Sequence, residues 1–299
     1  MNLSVLFIIL IMFGRISLLG YERIEFNRAA KNRDPLVSTF LLFSIAGIML
    51  LPLLFLTDFD ALSGIGYASL SGTLYSLAFT LYVYVLSNYE VSLVTPLYNF
   101  NVFFLFILSV LFLGESFYWF KLVGMALLFI GTALLERKHS LKESVKAVFT
   151  NRGCLLMIVV SLLIALGRII DGLFVKTTTD PFLYSIIQYW IISLYLLIAI
   201  VGTKKLRLIR EVIAGNYKHF LLGSFANAYS YVLLLVLLSF FNFELSIAEP
   251  LSMLSLLVTL GLSVWILKED IKGRLIGAIL MIIGGILLVN SFRPLDFIP

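Results

Sequence analysis

The chain has few of the residues from which soluble folds and most catalytic centres are built. Only 13% of its 299 residues are charged, against roughly 25% in soluble domains. Its one cysteine, Cys154, excludes an intramolecular disulfide and a paired-cysteine redox or zinc site. The two histidines, His139 and His219, fall in loops, and no glycine-rich phosphate-binding loop occurs. We therefore expect no enzyme activity, no metal, no cofactor and no use of ATP.

Apolar residues dominate instead, at 61% of the sequence. They form ten stretches of about 18 to 24 residues, each long enough to cross a ~30 Å hydrocarbon core as a helix. The first stretch has no basic leader and no small-residue cleavage site, so we expect a helix of the mature protein rather than a signal peptide. The sequence thus predicts an all-α integral membrane protein with ten transmembrane helices. The predicted spans are 3–21, 35–56, 63–86, 91–113, 118–136, 153–175, 181–202, 217–240, 245–267 and 272–291.

The second half of the sequence repeats the first at an offset of about 154 residues. The segment YEVSLVTPL, which begins at Tyr89, matches FELSIAEPL, which begins at Phe243. Asp-Pro pairs open the second predicted helix of each half, at Asp34 and Asp180. Other matched pairs are Gly14 with Gly167, Arg15 with Arg168, Tyr75 with Tyr229, Pro96 with Pro250, and Glu115 with Glu269.

These matches divide the chain into four parts. We predict a first five-helix repeat (1–136), a basic amphipathic linker (137–152), a second five-helix repeat (153–291) and a short tail (292–299). Because each repeat has an odd number of helices, the two repeats have opposite orientations in the membrane. We expect them to enclose a central cavity.

The positive charges support this inverted arrangement. Of the 22 Lys and Arg residues, 17 lie in one set of alternate loops and three in the other, and the remaining two are Arg15 and Arg168. The positive-inside rule places the basic loops in the cytoplasm and both termini outside the plasma membrane. This bias explains the basic residues, so we expect membrane lipids rather than nucleic acid as partners. Apolar residues at helical spacing in two basic loops, 137–152 and 204–218, favour either short helices on an anionic leaflet or ordinary solvated linkers.

In their order along the chain these motifs resemble the EamA-type carriers of the drug/metabolite transporter superfamily. The resemblance rests on Ser-x-x-x-Pro at 92–96 and again at 246–250, on the turns at Glu115 and Glu269, and on the glycine-bearing last helix of each half. It implies ten helices in two inverted halves that move small metabolites by alternating access. Family members are usually drawn with both termini in the cytoplasm, in contrast to the charge count. We expect Glu115 and Glu269 to cap turns at the membrane edge.

The repeated Gly-Arg-Ile step indicates a function for two intramembrane arginines. A buried guanidinium needs a partner, access to the interface or access to water. If Arg15 and Arg168 both face a cavity on the two-fold axis, they can hold a carboxylate or a phosphate together. The alternative is that each side chain reaches the membrane surface alone.

Two carboxylates and two prolines complete the predicted machinery. Asp171 follows Arg168 by three residues on the same helix face, and Glu249 precedes Pro250. Either carboxylate is a candidate to couple transport to protons, or alternatively to neutralise the arginines. Pro96 and Pro250 interrupt helices and act either as hinges or as static kinks.

Phenol and amide side chains supply the remaining candidates for the lining of the cavity, because such groups need hydrogen-bond partners inside a membrane. The predicted substrate-binding residues in this class are Tyr75, Tyr82, Tyr98, Asn101, Gln188, Tyr189, Asn227, Tyr229 and Tyr231.

The sequence therefore favours a secondary transporter, and among these an exporter, for a small polar metabolite such as an amino acid or organic anion. The alternative is a flippase for a phosphorylated lipid or sugar. A membrane scaffold or receptor explains the intramembrane charges poorly. Either a monomer or a homodimer fits the sequence.

Overall fold

A computed structural model describes residues 3–31, 33–57, 65–89, 97–135, 151–175, 180–267 and 275–291. These residues are almost entirely helical, and none of them forms a β-strand. The helices of the first half are α1 (Leu3–Ala30), α2 (Pro35–Leu50), α3 (Ile65–Asn88), α4 (Phe100–Leu108) and α5 (Trp119–Leu135). Those of the second half are α6 (Arg152–Val175), α7 (Pro181–Gly202), the short α8 (Leu208–Ala214), α9 (Tyr217–Phe241), α10 (Leu245–Ser252), α11 (Ser255–Leu267) and α12 (Leu275–Ser291).

The protein is a multi-pass integral membrane protein. Within the described ranges, six helical segments are long and apolar enough to cross a bilayer, and three shorter apolar helices accompany them. A 3₁₀ turn, Leu51–Leu56, continues α2, and a π-helical turn, Ser109–Leu113, continues α4. The predicted all-α membrane class is confirmed, whereas the count of ten spans stays a prediction. The linker 137–150, Pro96 and the tail lie outside the described residues.

The predicted Asp-Pro helix starts are confirmed in both halves. The Asp34 carboxylate accepts a hydrogen bond from the backbone N–H of Val37 at 3.1 Å. The Asp180 carboxylate accepts from the N–H groups of Phe182 and Leu183, both at 2.9 Å. Proline follows as the first helical residue, where its missing N–H costs nothing. The same local chemistry thus begins the second helix of each repeat.

The second helices of the two halves, α2 and α7, pack against each other in antiparallel fashion. Lys205, just beyond the end of α7, bonds to Asp34 at the start of α2, while Gly47 near the end of α2 lies against Trp190 in the middle of α7. The first helix of each half packs along the third helix of the other half: α1 packs along α9, and its counterpart α6 packs along α3. This arrangement is the one expected of two inverted repeats.

Glycines bring α5 and α12 into backbone contact. A Cβ added at Gly124 would lie 2.9 Å from the carbonyl oxygen of Gly284, and one added at Gly284 would lie 2.7 Å from that of Gly124. Two turns further along, a Cβ at Gly131 would lie 2.7 Å from the carbonyl oxygen of Gly277. Small residues permit this approach in a membrane, where close packing replaces the hydrophobic effect as the cause of helix association.

Each of the two basic loops was predicted as either a short helix or a solvated linker, and the loop after α7 contains such a helix, α8. In α8 the side chain of Val212 is buried against α2, and Ile209 and Ile213 pack on the same apolar cluster. The apolar face of α8 therefore covers the end of the helix bundle. The predicted helix is therefore present, and its position on an anionic leaflet stays a prediction.

Candidate functional site

Arg15 is buried in the middle of α1, and every part of its guanidinium has an acceptor. Its Nε donates to Ser252 Oγ at 2.8 Å, its Nη1 to the carbonyl oxygen of Ser230 at 2.7 Å, and its Nη2 to Glu249 Oε1 at 2.9 Å. The side chain is only 1% exposed. These contacts link α1 of the first half to α9 and α10 of the second.

Arg168 approaches the same carboxylate from α6. Its Nε lies 2.9 Å from Glu249 Oε1, but the two atoms are not aligned as a hydrogen bond. Its guanidinium carbon lies 5.4 Å from the ring centroid of Tyr75 and 5.0 Å from that of Tyr231, within cation–π distance of both. The side chain is 17% exposed. Neither arginine reaches the membrane surface alone, so the alternative of two independent side chains is wrong.

Asp171 is fully buried and held by three neutral donors. It accepts hydrogen bonds from the hydroxyls of Tyr75 and Tyr184 at 2.7 and 2.8 Å and from the side-chain amide of Gln188 at 3.0 Å. Arg168 Nη1 lies 3.6 Å away on the same helix. Asp171 thus lies within ion-pair distance of Arg168, although most of its bonding capacity is used by other residues.

Gly167, in the repeated Gly-Arg-Ile step, explains how Tyr75 reaches this site. A Cβ at Gly167 would lie 2.7 Å from a ring carbon of Tyr75, too close for any other residue type without a shift of the helix. The absence of a side chain lets the ring of Tyr75 lie flat against α6. From there its hydroxyl reaches Asp171, one turn further along the helix.

We call Arg15, Arg168, Asp171 and Glu249 the central charged cluster. It contains two positive and two negative side chains, from α1, α6 and α10. Mutual pairing of this kind is how charges are tolerated in a bilayer. The carboxylate of Glu249 lies between the two arginines. This is the position predicted from the sequence for an anionic substrate.

A second set of hydrogen-bonded polar side chains lies beside the central charged cluster. Glu22 Oε1 accepts from the side-chain amide of Asn227 at 3.1 Å, and the amide oxygen of Asn227 accepts from the hydroxyl of Tyr189 at 2.7 Å. Asn227 and Tyr189 were predicted from the sequence, whereas Glu22 was missed. The sequence could have indicated Glu22, because it follows Arg15 by two helical turns and therefore lies on the same face of α1.

Four further predicted residues lie outside this network. The rings of Tyr82 and Tyr98 contact each other with centroids 5.2 Å apart, and Asn101 is buried on α4. Tyr229 points elsewhere, since its hydroxyl donates to the carbonyl oxygen of Met49 at 3.2 Å. The structure thus does not place Tyr229 with Arg15 and Arg168.

Pro250 lies beside the cluster and close to a break in the helix. Because proline has no N–H, it cannot bond to the carbonyl oxygen of Ser246 one turn earlier. The helix α10 ends two residues later at Ser252, and a turn precedes α11. The hinge role of Pro250 stays a prediction, and its counterpart Pro96 lies outside the described residues.

Sequence reasoning also missed several neutral partners of the charged side chains. Ser230 and Ser252 accept hydrogen bonds from Arg15. Tyr184 donates a hydrogen bond to Asp171, and Ser71 accepts one from Gln188 beside it. A signal existed for Tyr184, which precedes Gln188 by one turn on the same face of α7. Serines gave none, because they are common in membrane helices. Across the described ranges, no three His, Cys, Asp or Glu side chains lie close enough together to hold a metal ion.

The comparisons with known proteins agree with this architecture. The EamA-like transporter family matches residues 3–137 and 151–291, so the match repeats itself in both halves. The chain belongs to the EamA-like transporter family. It is accordingly a membrane transporter of the drug/metabolite transporter superfamily. The predicted resemblance and the internal repeat are both confirmed.

A solved structure shares the EamA-like fold described above. It is described as "Crystal structure of protein" and matches with a TM-score of 0.66 at 13% sequence identity, over 94% of this chain and 97% of that one. At this identity the match shows the fold alone. A search of curated proteins found no match.

The two halves are also joined by a polar contact at the start of α10, about one turn before Glu249. The Glu115 carboxylate accepts from the backbone N–H groups of Leu245 and Ser246, at 2.8 and 2.9 Å, and so caps the first turn of α10. Lys121, fully buried, bonds to Glu244 and, at 3.0 Å, to Ser246 Oγ. The predicted capping role of Glu115 is confirmed, and Glu269 lies outside the described residues.

Proposed function

We propose that this transporter moves a small polar metabolite with a carboxylate group, such as an amino acid or organic anion, by alternating access across the plasma membrane. One observation carries the proposal: Glu249 Oε1 lies 2.9 Å from a nitrogen of Arg15 and 2.9 Å from a nitrogen of Arg168. A position that fits one carboxylate between two guanidinium groups from opposite halves also fits the carboxylate of a substrate.

The two arginines have different parts in this proposal. Arg15 has three directed bonds and anchors α1 to the second half. Arg168 is more exposed and is held by aromatic faces rather than by directed bonds. It is therefore the side chain with free donors for a substrate, while Asp171 and the phenols around it fix its position.

Glu249 is the proposed coupling group. An incoming carboxylate that takes the place of Glu249 between Arg15 and Arg168 leaves Glu249 without a cationic partner, so Glu249 is the side chain proposed to exchange a proton during the cycle. Uptake of a proton by Glu249 would thus accompany substrate binding, and substrate release would return it. Pro250, the adjacent residue, is the proposed hinge. Asp171 stays the second candidate for coupling.

Uptake into liposomes tests the substrate class. Purified protein is assayed with amino acids, organic anions and phosphorylated lipids, and each assay is repeated with Arg168→Ala and with Arg207→Ala, an exposed arginine outside the cluster. We expect transport of a carboxylate that Arg168→Ala reduces at least about tenfold, from the loss of a charged hydrogen bond. Unchanged transport in Arg168→Ala would rule out the anion site, and movement of phosphorylated lipid alone would favour the flippase alternative.

A pH-sensitive dye inside the liposomes tests the coupling. We expect the wild-type protein to move protons with its substrate, and Glu249→Gln to exchange substrate without moving protons. Glu211→Gln, in the exposed part of α8, is the matched control. Proton movement that persists in Glu249→Gln would remove Glu249 from this role and leave Asp171.

Orientation and direction are part of the same proposal. We propose that both termini lie outside the cell, as the positive-inside rule indicates. We also propose that the carrier exports its substrate, driven by the substrate gradient or by protons. A cysteine introduced at Ser140, in a Cys154→Ser background, reports the side of the central linker. Rapid labelling of intact cells by an impermeant reagent would place this linker outside and reverse the assignment.

A further inference from the structure

A basic cavity lies where α1 ends and α9 begins, on the face that carries most of the positive charge. Its volume is about 480 Å³, and it is lined by Arg28, Lys31, Arg33, Asn216 and His219. Three of these five residues carry a permanent positive charge. No part of the central charged cluster contributes to its lining, so this cavity needs an explanation of its own.

The positive charge of the cavity is only partly neutralised by the protein. Glu25, itself buried, bonds to His219 at 2.6 Å and to Arg28 at 3.4 Å. Asp34, the next acid along the chain, is occupied by Lys205 at 2.7 Å. Among the residues that the structure describes, Lys31 and Arg33 have no ion-pair partner. The cavity thus retains an excess of positive charge.

Arg33 has an unsatisfied donor at this cavity. Its Nη1 is buried and has no hydrogen-bond partner within the described ranges. Its Nη2 lies beside the backbone at Gly215, where an added Cβ would be 2.9 Å away. A buried guanidinium nitrogen without an acceptor is destabilising, so such an atom normally faces a ligand or solvent that supplies one.

Large exposed side chains lie next to the cavity on α9. Tyr217, which follows the cavity residue Asn216, is 53% exposed, and Leu221, one turn further on the same face of α9, is 40% exposed. An exposed tyrosine followed by exposed leucine is typical of the boundary between headgroups and acyl chains. The basic face is the one that the positive-inside rule places against an anionic leaflet.

We propose that this cavity binds the phosphate of an anionic phospholipid headgroup. Lys31 and Arg33 would supply the charge-assisted hydrogen bonds, and the lipid-facing surface of α9 at Tyr217 and Leu221 would lie along the acyl chains. A bound lipid would thereby join the end of α1 to the start of α9, which belong to opposite halves. The site is independent of the substrate proposed for the central charged cluster.

Lipid titration of the purified full chain in detergent tests the proposal. The midpoint of thermal unfolding is measured with phosphatidylglycerol, with phosphatidylcholine and with inorganic phosphate. The variant is Lys31→Gln with Arg33→Gln. The control is Arg207→Gln with Arg210→Gln, which removes the same charge from exposed positions outside the cavity.

We expect phosphatidylglycerol to raise the midpoint in the wild-type protein and in the control, and the cavity variant to need at least about tenfold more of this lipid. Native mass spectrometry of each variant should show the same loss of bound lipid, which separates binding from a change in basal stability. Equal losses in both double variants would show diffuse surface attraction and overturn the proposal. An equal effect of phosphatidylcholine would also overturn it, and saturation by inorganic phosphate alone would assign the cavity to a soluble phosphate instead.

Discussion

Arg15 and Arg168 occupy equivalent places in the two repeats but have different surroundings. Arg15 is 1% exposed and makes three directed hydrogen bonds, whereas Arg168 is 17% exposed and lies between two tyrosine rings. The repeat therefore supplies the same charge twice, and the residues around each copy give it a different environment. From this difference we infer that one arginine maintains the structure and the other binds substrate.

The largest expected effect is on stability, from Arg15→Ala. It would remove the hydrogen bonds that Glu249 and Ser252 accept from Arg15, and with them the link between α1 and the second half, although Arg168 would still lie beside Glu249. Breaking a buried ion pair from one side costs about 3–5 kcal/mol. Unfolding of the purified protein in a denaturing detergent measures this loss. Arg168→Ala is the matched variant, and an equal or larger loss there would contradict the division between the two arginines.

A smaller loss of stability should distinguish Tyr75 from Tyr231, the two tyrosines that contact Arg168. Tyr75→Phe keeps the ring but removes the hydroxyl that bonds to Asp171 at 2.7 Å, which we expect to cost about 1.5–3 kcal/mol. The hydroxyl of Tyr231 is buried without a hydrogen-bond partner in the described part of the chain, so Tyr231→Phe should be neutral or slightly stabilising. The same unfolding assay compares the two. Equal destabilisation would show that the rings, and not the bond to Asp171, hold Arg168.

A charge-conserving change tests the binding role of Arg168. Arg168→Lys keeps the positive charge but loses the planar fork that binds a carboxylate through two parallel bonds. We expect roughly tenfold weaker substrate binding with little change in stability, measured by titration of the substrate found in the liposome screen. Full affinity in this variant would mean that charge alone is sufficient at this position.

The smallest effect belongs to an ion pair at the end of the bundle. Lys205 bonds to Asp34 at 2.7 Å, but its side chain is 37% exposed. We expect Lys205→Gln to cost less than about 1 kcal/mol, because water and salt screen an exposed pair. Unfolding at low and high salt checks this, since the difference from wild type should shrink as salt rises. A loss comparable to that of Arg15→Ala would show that the position in the bundle matters less than the pairing itself.

Much of the fold followed from short-range patterns. The length and hydropathy of the apolar stretches indicate membrane helices, and the Asp34-Pro35 and Asp180-Pro181 pairs predict helix starts, because caps depend only on neighbouring residues. The paired Gly-Arg-Ile steps, together with the repeat, predicted that Arg15 and Arg168 belong to one site. Glu22 and Tyr184 were missed, although each lies on the same helical face as a predicted residue.

Other features depended on contacts that no local pattern encodes. Tyr229 is the repeat counterpart of Tyr75, yet its hydroxyl bonds to the backbone of α2, because the two halves place different neighbours beside equivalent residues. The cap on α10 comes from Glu115, about 130 residues earlier in the chain. Long-range partners of this kind depend on how the helices pack.

By itself the sequence determined that the chain is a helical membrane protein made of two related halves, and that each half contributes one arginine to its interior. These properties follow from hydropathy, charge bias and repetition, all of which are visible in the linear sequence. Only the tertiary structure decided that Glu249 is shared by both arginines, that Arg15 is the fully bonded one, and that Lys31 and Arg33 meet at a separate basic cavity. The physical reason is that a buried charge is stabilised by whichever partners the helix packing brings within about 3 Å, and those partners come from helices of both halves of the chain.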